Sequence, residues 1–130
     1  PVEVQVPPAG AQARAACARL TAALPDVLGL DLARRPVTGD PARAAAWGDP
    51  PLVLRCGVAP AGRPGIDGEP VTLGPPDGRL LQFLVDDVGA ASRFTTRDRR
   101  VPVEITVPDA YDAQAVQGLA VPVLDTVPER

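Results

Sequence analysis

Histidine, lysine, asparagine and methionine are absent from these 130 residues, and serine occurs once, at Ser92. Each absence removes chemistry. Without His there is no Ser-His-Asp arrangement, no imidazole acid–base catalyst and no His metal ligand. Without Lys there is no Schiff base and no phosphate-loop lysine. Ser92 has neither base available to activate it. Aromatic residues make up only 3% of the chain, so the core must be aliphatic. No apolar run approaches the ~20 residues of a membrane-spanning helix. The chain opens at Pro1 without a Met, which predicts a signal or anchor upstream.

A chain of this length fits one domain, here taken as residues 1–130, and can bury about two-thirds of its unfolded surface. Hydrophobic residues make up 45% of it. All 13 basic residues are Arg, a bias of the kind a GC-rich genome imposes. The net charge is −3 and the pI near 4.8, which argues against a nucleic-acid partner. One basic cluster stands out, Arg93, Arg97, Arg99 and Arg100, interrupted by Asp98. Its expected place is a solvated hairpin turn.

Cys17 and Cys56 have no second pair and no His to complete a metal site. They are either two buried thiols or a disulfide, and the disulfide is the sharper reading. Such a bridge closes a loop of about 40 residues, worth ~4 kcal/mol in the chain-entropy model. Disulfides persist outside the cytosol.

Local patterning supplies the elements. Residues 2–6 alternate strictly and predict a strand that Pro7 and Pro8 stop. Ala11 to Leu24 predicts a helix, with Ala13, Cys17, Leu20 and Leu24 on one face and Pro25 ending it. Leu30, Leu32 and Val37 suggest a short strand. Asp40-Pro41 predicts the start of a short helix over Ala42–Trp47, closed by Gly48. Leu52 to Cys56 predicts a central strand. Ala59 to Gly68 is a loop rich in Gly and Pro. A meander follows, with strands over 71–73, 79–85, 92–97 and 101–107, and a Pro-Pro-Asp-Gly turn at 75–78. In the last strand Val101, Val103, Ile105 and Val107 share a face, and Pro102 hints at a sheet edge or at a position whose N–H would point outward. The tail beyond Pro108 reads as helical or irregular, interrupted by Pro122. The fold class is α+β: a mostly antiparallel sheet with one main helix, residues 11–24, on one face, and one Cys17–Cys56 disulfide.

The candidate binding residues are Trp47, Asp49, Arg55, Arg34 and Arg35. Trp47 is either a stacking platform or, more commonly for a lone Trp, a core residue. Asp49 could cap a turn or pair with Arg55. Arg55 sits in an apolar strand and needs a partner if buried. Arg34 and Arg35 could meet an anion or make surface salt bridges. Asp86-Asp87 is the one adjacent carboxylate pair that could serve a metal or acid–base role. Neighbours in a strand point to opposite faces, and a solvated turn is its default. No catalytic residue, metal site or cofactor is expected.

The run Cys17-Ala-Arg-Leu-Thr-Ala-Ala-Leu-Pro25, then Arg34-Arg35-Pro36, Ala45-Ala-Trp-Gly-Asp-Pro-Pro51, Leu54-Arg-Cys-Gly57, Phe94-Thr-Thr96 and Val103-Glu-Ile-Thr-Val-Pro108 resembles an uncharacterised family of secreted or lipid-anchored actinobacterial proteins. The family is known only as a domain of unknown function. The resemblance implies an extracytoplasmic location, secreted or anchored to the outer face of the cytoplasmic membrane, with both cysteines outside the cytosol. It supplies no reaction or ligand. The functional expectation is a non-catalytic cell-envelope accessory or binding module, with an envelope protein or cell-wall component as its partner. Two alternatives stand beside it: a carboxylate-based hydrolase of an envelope glycan, or a structural domain docking on a membrane protein.

Overall fold

A computed structural model describes residues 1–130. The strands are β1 (Val2–Val4), β2 (Val27–Leu28), β3 (Leu32–Arg35), β4 (Val37–Gly39), β5 (Ala44–Trp47), β6 (Leu52–Cys56), β7 (Glu69–Leu73), β8 (Leu81–Asp87), β9 (Ala91–Thr96) and β10 (Val103–Pro108). The helices are α1 (Ala11–Ala23) and α2 (Gln114–Thr126). Eight strands form an antiparallel sheet in the order β2-β3-β5-β6-β10-β9-β8-β7, and β1 pairs with β4 in a small parallel ladder apart from it.

Alternation along each strand decides the two faces of the sheet. Leu52, Leu54 and Cys56 of β6, Val103, Ile105 and Val107 of β10, and Leu81 and Phe83 of β8 face the helices and are buried. Phe83 and Phe94 meet edge to face with ring centroids 5.7 Å apart. Helix α1 buries Ala16, Cys17, Leu20 and Thr21, and α2 buries Ala115, Val116, Leu119, Ala120 and Val123. The two helices lie against each other over this face, and all of these apolar groups except Thr21 join one core. Cys17 and Cys56 are bonded, with Cα atoms 5.6 Å apart, stapling α1 to the end of β6.

Four expectations are corrected. The stretch 42–47 is not a helix. Asp40 does open a turn, accepting from the Ala42 N–H, but the chain then runs as β5 with all four residues buried. Alanine's helix propensity is a weak prior, and here β3 and β6 flank the segment and supply ladder bonds on both sides. β10 is not an edge strand, because it pairs with both β6 and β9. Pro102 sits just before it, its carbonyl accepting from the Gly57 N–H at 2.9 Å. The tail forms a second full helix that runs through Pro122. Proline in a helix interior costs ~3 kcal/mol, and the apolar face of α2 outweighs that locally. The expected strand 2–6 pairs only over β1.

The turn between β5 and β6 is Gly48-Asp49-Pro50-Pro51. Gly48 has φ +77°, and a Cβ there would lie 2.9 Å from both the Leu32 side chain and the Tyr111 hydroxyl. Only glycine suits this corner. The Tyr111 hydroxyl donates to the Pro50 carbonyl at 2.7 Å, tying the approach to α2 onto the turn.

Candidate functional site

The five residues singled out by the sequence do not converge. Trp47 faces the helices, is fully buried, and donates from Nε1 to the Pro25 carbonyl at 2.9 Å. It is a core residue and offers no surface to a ligand. Arg34 lies over its ring, 5.9 Å from the centroid, and donates to the carbonyls of Thr21 and Leu24 at the end of α1. That position suits a cation, since the last carbonyls of a helix carry partial negative charge. Arg35 points to the other face and donates to the Gly48 carbonyl at 2.9 Å, with Asp49 at 4.0 Å. Asp49 is almost fully exposed and does not reach Arg55.

Arg55 does occupy a site. β6 is central, so its even-numbered residues turn inward and Val53 and Arg55 turn to the face the helices leave uncovered. The register places Glu104 of β10 directly opposite, and Thr95 of β9 and Leu84 of β8 continue the row. Arg55 and Glu104 form a two-pronged pair, Nε to Oε1 and Nη2 to Oε2, both at 2.9 Å. The next row sets Asp86 opposite Arg93, again two-pronged, at 3.1 and 2.6 Å. These two Arg–carboxylate forks border a groove of about 400 Å³, with the 59–62 loop and Asp67 closing the far side. The N-terminal segment borders the Arg55 side, its Gln5 carbonyl accepting from Arg55 Nη1.

Sequence reasoning missed Arg43. It is buried and donates to the carbonyls of Cys56, Gly57 and Pro7, pinning the N-terminal segment to the end of β6. The partner of Arg55, Glu104, was also missed, although its inward–outward alternation in 101–107 already placed it on the open face. Asp86 and Asp87 do not act as a pair: Asp86 bonds Arg93 and Asp87 accepts from the Gly89 N–H.

Charge pairing fixes the response to pH. The hydrogen bonds that Arg55 donates to Glu104 hold its guanidinium above its ordinary value against the opposing cost of burial, and Asp86 as acceptor does the same for Arg93. Asp77 is held below its ordinary 3.8 first by the backbone N–H of Arg79 and then by its side chain. A raised arginine contributes at every pH below its unfolded value, so neither guanidinium loses its charge in the working range. A depressed carboxylate contributes above its unfolded value and loses that contribution as pH falls through its folded one. With no His to titrate, the melting temperature should be flat between about pH 5 and 7 and fall below about pH 4. A step near pH 6.5 in a melting series would contradict this.

A family model described as "Protein of unknown function (DUF3515)" matches residues 1–72, more than half of the chain. The chain belongs to the DUF3515 family. The DUF3515 match spans α1, the disulfide, the β5–β6 corner and Arg55, and ends within β7. Glu104, Asp86 and Arg93 lie beyond it. No curated protein and no solved structure matches the chain.

Proposed function

We propose that this DUF3515 domain is a non-catalytic binding module working outside the cytosol, and that its ligand-facing surface is the groove on the uncovered sheet face. The observation that carries the reading is the pair of Arg–carboxylate forks bordering that groove. Each carboxylate already accepts two charge-assisted bonds from its arginine, so its oxygens are engaged within the fold rather than presented to a substrate. The forks are rigid, and such preorganised polar groups favour recognition. The buried disulfide, with no helix long and apolar enough to cross a membrane, is compatible with an extracytoplasmic place.

A hydrolase remains the second reading, because Asp86 and Glu104 line one groove as the two acids of a glycosidase would. One experiment separates the two. A photo-cross-linking residue replaces exposed Ala59 at the groove rim, with Gln12 on α1 as the control position, in intact cells. The binding reading expects a discrete adduct from position 59, absent from position 12 and lost when Arg93→Ala opens the second fork. No adduct, or equal labelling from both positions, overturns the groove as a binding surface. Hydrolysis of a cell-wall glycan by the purified domain, abolished by Glu104→Gln, would establish the hydrolase instead.

A further inference from the structure

The arginine cluster foreseen as a solvated turn is more organised than a turn requires. Residues 97–100 connect β9 to β10, and the end of the chain folds back onto them. The Arg100 N–H donates to the Pro128 carbonyl at 2.8 Å, and the Arg130 N–H donates to the Asp98 carbonyl at 3.0 Å. Arg99 and Glu129 form a β-bridge between the two segments. This clip brings Arg130, remote in sequence, beside Arg97, Arg99 and Arg100. The four arginines and Thr96 line a cavity of about 230 Å³ walled by Pro60–Gly62.

The four guanidiniums divide into one holder and three free cations. Arg99 is buried, braced by Asp98 and by the Val127 carbonyl, so it fixes the floor of the site. Arg97, Arg100 and Arg130 make no salt bridge. Nor do their guanidiniums donate to any protein acceptor, whereas Arg34, Arg35, Arg43, Arg55, Arg79 and Arg93 all do. In a chain of net charge −3, three unpartnered cations gathered around one cavity face mutual repulsion that an anion would relieve.

We infer that this cavity is an anion site for a phosphate group. Guanidinium forks match phosphate oxygens in pairs, and a dianion balances several cations better than a single carboxylate does. At about 230 Å³ and open to solvent on one side, the cavity has room for a phosphate group among the guanidiniums. The inference goes beyond the groove proposed above: it concerns a different set of residues, and the two sites share only the Pro60–Gly62 wall.

The test is an NMR titration of the whole chain at low ionic strength with inorganic phosphate, with acetate as the comparison anion. The expected result is saturable shifts at the amides of 96–100 and of Glu129 and Arg130, with phosphate binding about tenfold tighter than acetate. Arg97→Gln and Arg130→Gln, whose side chains hold nothing in the fold, should each weaken phosphate about tenfold, while Arg14→Gln on α1 changes nothing. Co-sedimentation with phosphatidylcholine vesicles containing phosphatidic acid identifies the source. Sedimentation that depends on Arg97 and Arg130 assigns a lipid headgroup, and phosphate binding without sedimentation assigns a free or soluble phosphate. Shifts that fail to saturate, that match those with acetate, or that persist in both variants overturn the site. The groove reading is unaffected by that failure, because its cross-link does not involve these arginines.

Discussion

Trp47→Ala should lower the stability of the domain by about 3–5 kcal/mol, a large share of the ~5–15 kcal/mol that holds a fold of this size. The indole is fully buried opposite Leu52 in the β5–β6 ladder, and truncation would leave a void in the core they share. It would also strand the Pro25 carbonyl, which accepts the indole N–H, and remove the ring beneath Arg34. Trp47→Phe keeps most of the apolar contact and loses the hydrogen bond, so it should cost less, about 1–2 kcal/mol. Urea denaturation of the two variants measures both values. The chain has one Trp, so its fluorescence reports this position alone. Emission should be blue-shifted and poorly quenched by iodide in the native state. A quenchable, red-shifted emission with a near-neutral Trp47→Ala would contradict the burial.

Loss of the disulfide should cost a similar amount. The bridge spans a sequence separation of 39, for which the chain-entropy model gives ~4 kcal/mol. Both cysteines are fully buried, so Cys17→Ala with Cys56→Ala also removes two sulfur atoms from the core. The double variant should show a lower denaturation midpoint than the oxidised protein and a somewhat steeper slope, because the unfolded chain without the cross-link exposes more surface. Native protein should resist mild reductant because the sulfurs are covered, and yield to it once urea opens the core. Titration of the unreduced, denatured protein should find no free thiol; two reactive thiols would sink the assignment. The closed loop contains β2 to β5, so Trp47 lies inside the ring that the bridge draws tight. The two changes should therefore be less than additive when combined.

Much of this was legible before any coordinates. Strict alternation in 101–107 gave the inward face of β10, because a strand turns successive side chains to opposite sides whatever surrounds it. The spacing of Ala13, Cys17, Leu20 and Leu24 gave the buried stripe of α1, because a helix repeats about every 3.6 residues. The elimination of metal and His partners left the cysteines as buried thiols or a disulfide, and the structure shows the disulfide. Periodicity failed where burial is two-sided or short. Ala44–Trp47 has no alternation to read, since all four of its residues are buried, and alanine-rich sequence imitates a helix. Pro122 reads as a stop, because the compensating contacts of α2 come from α1 and the sheet rather than from its own sequence.

The candidate sites divide in the same way. Sequence by itself determined the α+β class and an inventory without His or Lys from which His-based and Lys-based catalysis cannot be built, and it favoured a cysteine pair. It also marked Arg55 as needing a partner. Only the tertiary structure decided who that partner was, since Glu104 lies far along the chain and meets Arg55 through the β6–β10 register. It set Trp47 and Arg55 on opposite faces of one sheet, dissolving the binding patch that their closeness in sequence had suggested. It also gathered Arg130 beside Arg97, Arg99 and Arg100 through two backbone hydrogen bonds from the tail. Local periodicity is a property of the backbone and survives in the sequence. Pairings between distant segments depend on which strands the whole core brings side by side, and no local pattern encodes them.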